Sequence, residues 1–259
     1  ALFAGADGFI DEIIHVVDKR YDAHRFDPIP TITDYARRLA EAAGKSTNVE
    51  FVVQQVKSGG NGPLMSEAFG RLGGRLRYVG SVGWPDPDPL FSHLEEYGEV
   101  MTIAPVAKTL ATEFEDGKIM HGKHESLKEV TWENFIERVG GEQQLDAFLE
   151  EANVMALVNW TMLPFLNDVI RGVLSRVSVL KERAPQVMFF DLCDPEKRTT
   201  ADLLEALSMM GAFTQHVKNV ILGLNEKESL EVCKAYGIEP GADDPEGLVR
   251  RAKALATES

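Results

Sequence analysis

The chain has 259 residues, 44% hydrophobic and 26% charged, with 22 Gly, 12 Pro and 2 Cys, values that exclude a collagen-like, disordered or disulfide-stapled chain. Its 41 acidic against 27 basic residues leave a formal charge of −14, a surface that repels polyphosphate backbones and makes nucleic acid an unsuitable partner. No apolar run approaches the roughly 20 residues of a membrane span, so no membrane partner is expected, and Cys193 and Cys233 read as reduced thiols of a cytoplasmic protein.

Leu2, Phe3 and Ala4 open the chain as a buried strand that breaks at Gly5, and a polar turn then leads into an apolar stretch over residues 9–17. Tyr35, Ala36, Leu39 and Ala43 share one helical face, so residues 33–43 form a helix with Thr33 or Asp34 as its cap. Residues 50–56 read as a strand, which Ser58-Gly59-Gly60-Asn61-Gly62-Pro63 ends sharply. A helix follows at once, with Pro63 in its first turn and Leu64, Ala68, Phe69 and Leu72 on one face, and residues 76–82 form the next strand. Between 101 and 120 the pieces are short and β-prone, and Glu115-Asp116-Gly117-Lys118 is a hairpin turn that should stand outside the main sheet.

From Val154 onward apolar strands start at residues 154, 187 and 220, an even interval that suits one strand plus one helix. The stripe Leu166, Val169, Ile170, Val173, Leu174, Val177, Leu180 supplies the clearest of the intervening helices, and each unit can close a right-handed parallel crossover. The fold class is therefore α/β. In open sheets of this kind ligands bind beyond the carboxyl ends of the strands, which points to Asn159, Asp191 and Asn225.

The glycine-rich break at residues 59–62 lets backbone N–H groups approach a hydroxyl or an anion, although the same residues serve equally well as a tight strand-to-helix turn. Neither nucleotide fingerprint is present. Gly5-Ala6-Asp7-Gly8 lacks the dinucleotide spacing, and Gly44-Lys45-Ser46 has Leu39 where a Walker A loop needs its first glycine. Asn225-Glu226-Lys227-Glu228 has the form of a capping box, a role compatible with ligand binding. The six histidines read as surface residues, with His121-x-x-His124 the one pair at short spacing.

Taken together, Gly59-Gly60-Asn61, Gly70-Arg71-Leu72-Gly73 and Tyr78-Val79-Gly80-Ser81-Val82-Gly83 resemble the first signature of the ribokinase-like (PfkB type) carbohydrate kinases. The opening Gly5 to Asp11 is similar to that family's first strand and turn, Phe190-Asp191 with Arg198 resembles its Asp-x-Asn-x-Arg strand end, and Asn225 with Glu228 resembles its Asn-x-x-Glu motif. The resemblance covers the whole chain in the correct order. Two departures stand out. Leu64 occupies the position of a second asparagine, and the second signature, Gly-Ala-Gly-Asp, is absent. Gly241-Ala242-Asp243-Asp244 imitates it but follows Glu228 too closely, and Asp243 or Asp244 suits a cap for the helix that contains Leu248, Val249, Ala252 and Leu255.

The resemblance implies one three-layer α/β/α domain over residues 1–259 with a mostly parallel sheet, and a small β-lid from about 16–31 and 101–123. It implies ATP-dependent phosphorylation of a hydroxyl on a sugar or sugar-like molecule. Asp11, Gly59, Gly60 and Asn61 then hold the acceptor. Asn159, Asp191, Asn225 and Glu228 serve the nucleotide phosphates, Glu228 meeting Mg2+ through water, and the catalytic base lies beyond Ser259. A homodimer contact through the lid is implied by some relatives. The alternative is a non-catalytic sugar-binding or regulatory protein that keeps the fold without the second signature.

Overall fold

A computed structural model describes residues 1–180, 186–239 and 245–258. In chain order, β1 (Leu2–Gly5) leads into the long β2 (Phe9–Arg20) and short β3 (Phe26–Pro28); α1 (Ile32–Glu41), β4 (Phe51–Gly59), α2 (Asn61–Arg71), β5 (Leu76–Gly80) and β6 (Gly98–Thr102) follow. The hairpin β7 (Ala107–Phe114) and β8 (Gly117–Lys123) closes the first half. Then come α3 (Trp132–Arg138), α4 (Glu142–Glu151), β9 (Val154–Leu157), α5 (Leu166–Val179), β10 (Val187–Asp191), α6 (Thr200–Ala212), β11 (Asn219–Gly223), α7 (Glu226–Tyr236) and α8 (Pro245–Glu258).

Strands apolar along their whole length can be buried on both faces, and those of this chain form one sheet. Its order is β11-β10-β9-β1-β5-β6, parallel throughout. Phe3, Val79, Met155, Leu157 and Phe190 pack with α3 to α7, whereas Leu2, Ala4, Leu76, Tyr78 and Ala156 meet Met65 and Phe69 of α2 and Phe91 and Leu94 of a 3-10 segment. The result is the expected three-layer α/β/α arrangement.

The second sheet is built on alternation. β2 is its axis, antiparallel to β4 from Phe9 to Val16, parallel to β7 from Phe9 to Ile14, and antiparallel to β3 near its end, while β8 extends β7. The hairpin turns at Glu115 and Asp116, outside the large sheet. This sheet draws on residues 9–20, 26–28, 51–59, 107–114 and 117–123, a wider set than 16–31 and 101–123, and Gly98–Thr102 pairs with the large sheet.

Two local expectations are corrected. Thr31 caps α1, its hydroxyl accepting the Asp34 N–H, because the chain is still extended there (φ −127°, ψ 155°) and turns helical at Ile32, before Thr33 or Asp34. Phe165, whose aromatic side chain among apolar neighbours reads from the sequence as core packing, is 41% exposed, since it is the residue that turns the chain into α5. The tetrad from Gly241 to Asp244 lies outside the described residues.

Candidate active site

The carboxyl ends of β1, β9 and β10 lie side by side, with Gly5 opposite Leu157 and Leu157 opposite Phe190. The residues just beyond them converge on one buried acid, Asp7, which has no solvent exposure. Its Oδ2 accepts the Asn61 N–H at 2.8 Å and the Asn159 side-chain amide at 2.7 Å, and its Oδ1 accepts the Gly62 N–H at 2.8 Å. The buried Tyr78 hydroxyl donates to the Asp7 carbonyl. Asn61 in turn donates through Nδ2 to Asp191 at 2.8 Å, and the Asn159 N–H reaches the same Asp191 oxygen at 3.3 Å. Asp7, Asn61, Asp191 and Asn159 thus form a closed ring of hydrogen bonds.

Asp7 holds the first turn of α2 by its free N–H groups, as a carboxylate at a helix N-terminus does. The glycines make this approach possible. Gly60 caps the helix at φ 104°, a conformation costly for other residues, and a Cβ at Gly62 would stand 2.6 Å from Asp7 Oδ1. Burial pushes the Asp7 carboxyl up to about 6, opposed by the hydrogen bonds from Asn159, Gly62 and Asn61. At neutral pH it remains a carboxylate with its donors in place.

Asp11, two register pairs further along β2, stands on the other side of the loop. Its carboxylate leans over Gly59 so closely that a Cβ there would collide with it. Among the described residues no protein donor bonds the Asp11 carboxylate, so its lone pairs are free for a ligand.

Asn61 and Asp191 also border a polar cleft of about 480 Å³ that continues through Cys193, Asp194 and Gly223 to Asn225 and Glu228. Here α7 begins with the capping box its sequence suggested: Asn225 Oδ1 accepts the Glu228 N–H at 2.9 Å, and Glu228 Oε2 accepts the Asn225 N–H at 2.9 Å. Glu228 is 4% exposed, and its Oε1 takes the Asp194 N–H at 3.2 Å. Cys193 and Asp194 both adopt left-handed backbone conformations (φ 62° and 59°). The Cys193 thiol is pushed up to about 11 by burial and by the nearby carboxylates of Asp191, Asp194 and Glu228, so it is a poor nucleophile. Among the described residues both cysteines are free, and no three His, Cys, Asp or Glu side chains form a metal cage.

The structure thus places Asn61, Asp191, Asn225 and Glu228 along one cleft, with Asn159 bonded behind it and Asp11 and Gly59 across the glycine loop. Three residues here carried no weight in the sequence. Asp7 was hidden because nothing marks a lone turn aspartate as buried; Tyr78 stood only as one residue of a strand and its signature; and Asp194 follows Asp191 with no mark of its own. Arg198 touches the site indirectly: its guanidinium lies 4.1 Å from the Trp160 ring centroid and donates to the carbonyls of Trp160, Leu163 and Pro164, fixing the loop that follows Asn159.

A parallel sheet with a glycine loop at its switch point and a small sheet beside it defines the ribokinase-like fold. Giardia lamblia ribokinase shares it with a TM-score of 0.56 at 17% identity, over 100% of this chain and 65% of that one. A carbohydrate kinase from Agrobacterium tumefaciens gives 0.52 at 16% identity, over 96% and 66%. The family is more specific than the fold: the prokaryotic ketohexokinase model matches residues 1–256, and the chain belongs to that family. It is 27% identical to a ketohexokinase of Haloferax volcanii over 239 residues, 91% of this chain but 62% of that protein's length. No helix among the described residues is long and apolar enough to cross a membrane.

Proposed function

We propose that the protein carrying this chain transfers the γ-phosphoryl group of ATP to a hydroxyl of a ketohexose. One observation carries the reading: the Asp11 carboxylate, with no protein donor among the described residues, and the Asn225–Glu228 cleft flank the same hydrogen-bonded helix start, so acceptor and phosphate would meet above Gly60 and Asn61. Phosphoryl transfer asks little covalent work of the protein and depends on positioning and charge stabilisation. Asp11 accepts from sugar hydroxyls, the Gly59-Gly60-Asn61 backbone fixes the acceptor, and Asn159, Asp191 and Asn225 order the phosphate side. Bound Mg2+ would neutralise phosphate charge. Both Glu228 oxygens already accept N–H groups, which suits contact with the ion through water, as Mg2+ commonly retains several waters.

The small sheet serves as a lid that excludes water from the transfer. Its edge strand β4 exposes Phe51, Val53 and Val56 by 39%, 51% and 46%, an apolar edge suited to a second copy of the chain. A cytoplasmic location accords with the free thiols. The test is ADP release by the whole protein with Mg-ATP and a panel of ketohexoses, aldoses and nucleosides. Turnover selective for a ketohexose supports the reading. Sugar binding without ADP release from any acceptor replaces it with the non-catalytic sugar-binding reading.

A further inference from the structure

We propose that His124 binds the acceptor, exchanging a hydrogen bond with a sugar hydroxyl across the pocket from Asp11. This deepens the kinase reading and rests on it. Residues directly opposite in neighbouring strands share one face of a sheet. The register pairs Phe9 with Gly59 and Ala107, Asp11 with Thr109, and Thr109 with Gly122. Phe9, Asp11, Thr109 and Gly122 therefore stand on one face of the small sheet.

At one side of that face Asp11 leans over Gly59. At the other the His124 ring folds back over Gly122, where any Cβ would collide with its imidazole. The two polar groups are separated by β7, two strand spacings or about 10 Å between backbones, over a floor of the small buried residues Ala107 and Thr109. Phe9 joins this wall to the glycine loop: its ring meets His124 edge-on at 5.4 Å and would lie 3.3 Å from a Cβ at Gly60.

Three further observations favour a ligand. Among the described residues no protein group bonds the His124 ring. His121 pairs with Leu110 and so stands on the opposite face from Gly122, which removes the His-x-x-His pair as a metal site. Burial and the charge of Lys197 hold His124 below its ordinary pKa, leaving a neutral ring with one donor and one acceptor nitrogen, the repertoire that a hydroxyl requires. The histidine read from sequence as a surface residue is instead partly buried, against the Phe9 ring.

The experiment titrates the whole protein, carrying nitrogen-15 histidine, with D-fructose, and compares steady-state kinetics of His124→Ala and His124→Gln. The His124 ring resonances should move in step with fructose saturation. The KM for fructose should rise about tenfold in His124→Ala, the worth of one hydrogen bond, with the KM for ATP and the melting temperature unchanged; His124→Gln should recover part of the loss. An unaltered fructose KM in His124→Ala, or ring resonances that stay fixed while fructose saturates, overturns the assignment alone. A wild-type protein that neither binds nor phosphorylates any ketohexose overturns the kinase reading, and this assignment with it.

Discussion

The two sheets meet at one loop but are held together differently. The large sheet is parallel, covered on both faces, and ends in a ring of hydrogen bonds around a carboxylate with no exposure. The small sheet is mixed, and most of β4 and β8 lies exposed or half-exposed. Its carboxylate, Asp11, has no protein donor among the described residues. In the proposed kinase the difference separates two tasks: Asp7 gives the loop its shape, and Asp11 would offer that shape a ligand. Variants of the two acids should therefore fail in different ways.

Asp7→Ala should have the largest effect. It leaves the N–H groups of Asn61 and Gly62 and the amide of Asn159 without their acceptor in a dry site, each at a cost of about 1–3 kcal/mol. We expect a melting temperature lower by about 10 °C or more, measured by calorimetry, and kcat/KM reduced more than a hundredfold. Glu228→Ala should come next. Loss of the capping box costs about 1 kcal/mol of stability, whereas turnover should fall on the order of a hundredfold with a higher Mg2+ requirement, read from kcat across a metal titration. Asp11→Ala should raise the acceptor KM by about tenfold to a hundredfold, the worth of hydrogen bonds to a charged group, and leave the melting temperature unchanged. If Asp7→Ala and Asp11→Ala raise KM alike at equal stability, the division of tasks is wrong.

Acidity sharpens the same contrast. Because burial raises the Asp7 carboxyl from 3.8 to about 6, its protonated form favours folding. That contribution is complete below about pH 4 and is lost as pH rises through 6. Function should run the other way, since a protonated Asp7 must turn an O–H toward N–H donors. An acid limb near pH 6 in kcat/KM, without loss of thermal stability over the same interval, is the expected pattern, and it should survive Asp11→Asn. The smallest effect concerns the exposed edge: Val53→Lys should shift sedimentation toward monomer while changing kcat by less than about twofold, the behaviour of a surface substitution remote from the chemistry.

What the sequence made legible follows from these same physical differences. Strands of a parallel sheet packed on both faces appear as apolar runs, so β9, β10 and the more exposed edge strand β11, with their even spacing, could be read directly. The capping box and the glycine loop were legible because they are local. Sheet membership was not. Phe9, Ile10 and Ile14 are buried in β2, so the stretch looked like core although it belongs to the small sheet, and nothing in Gly98–Thr102 declares that it pairs with β5. Asp7 and His124 were missed for a related reason. Their importance comes from neighbours brought close only by folding, and no adjacent residue advertises those neighbours.

The ring around Asp7 carries a consequence for assembly. Its bonds span 130 residues from Asn61 to Asp191 and 152 from Asp7 to Asn159, so neither the opening stretch nor the later repeating units can shape the loop unaided. Contacts so distant along the chain form late, because the intervening loops must close first. Newly made protein should therefore gain its pocket in the final docking of its opening stretch onto the units that carry Asn159 and Asp191, after each has its own secondary structure.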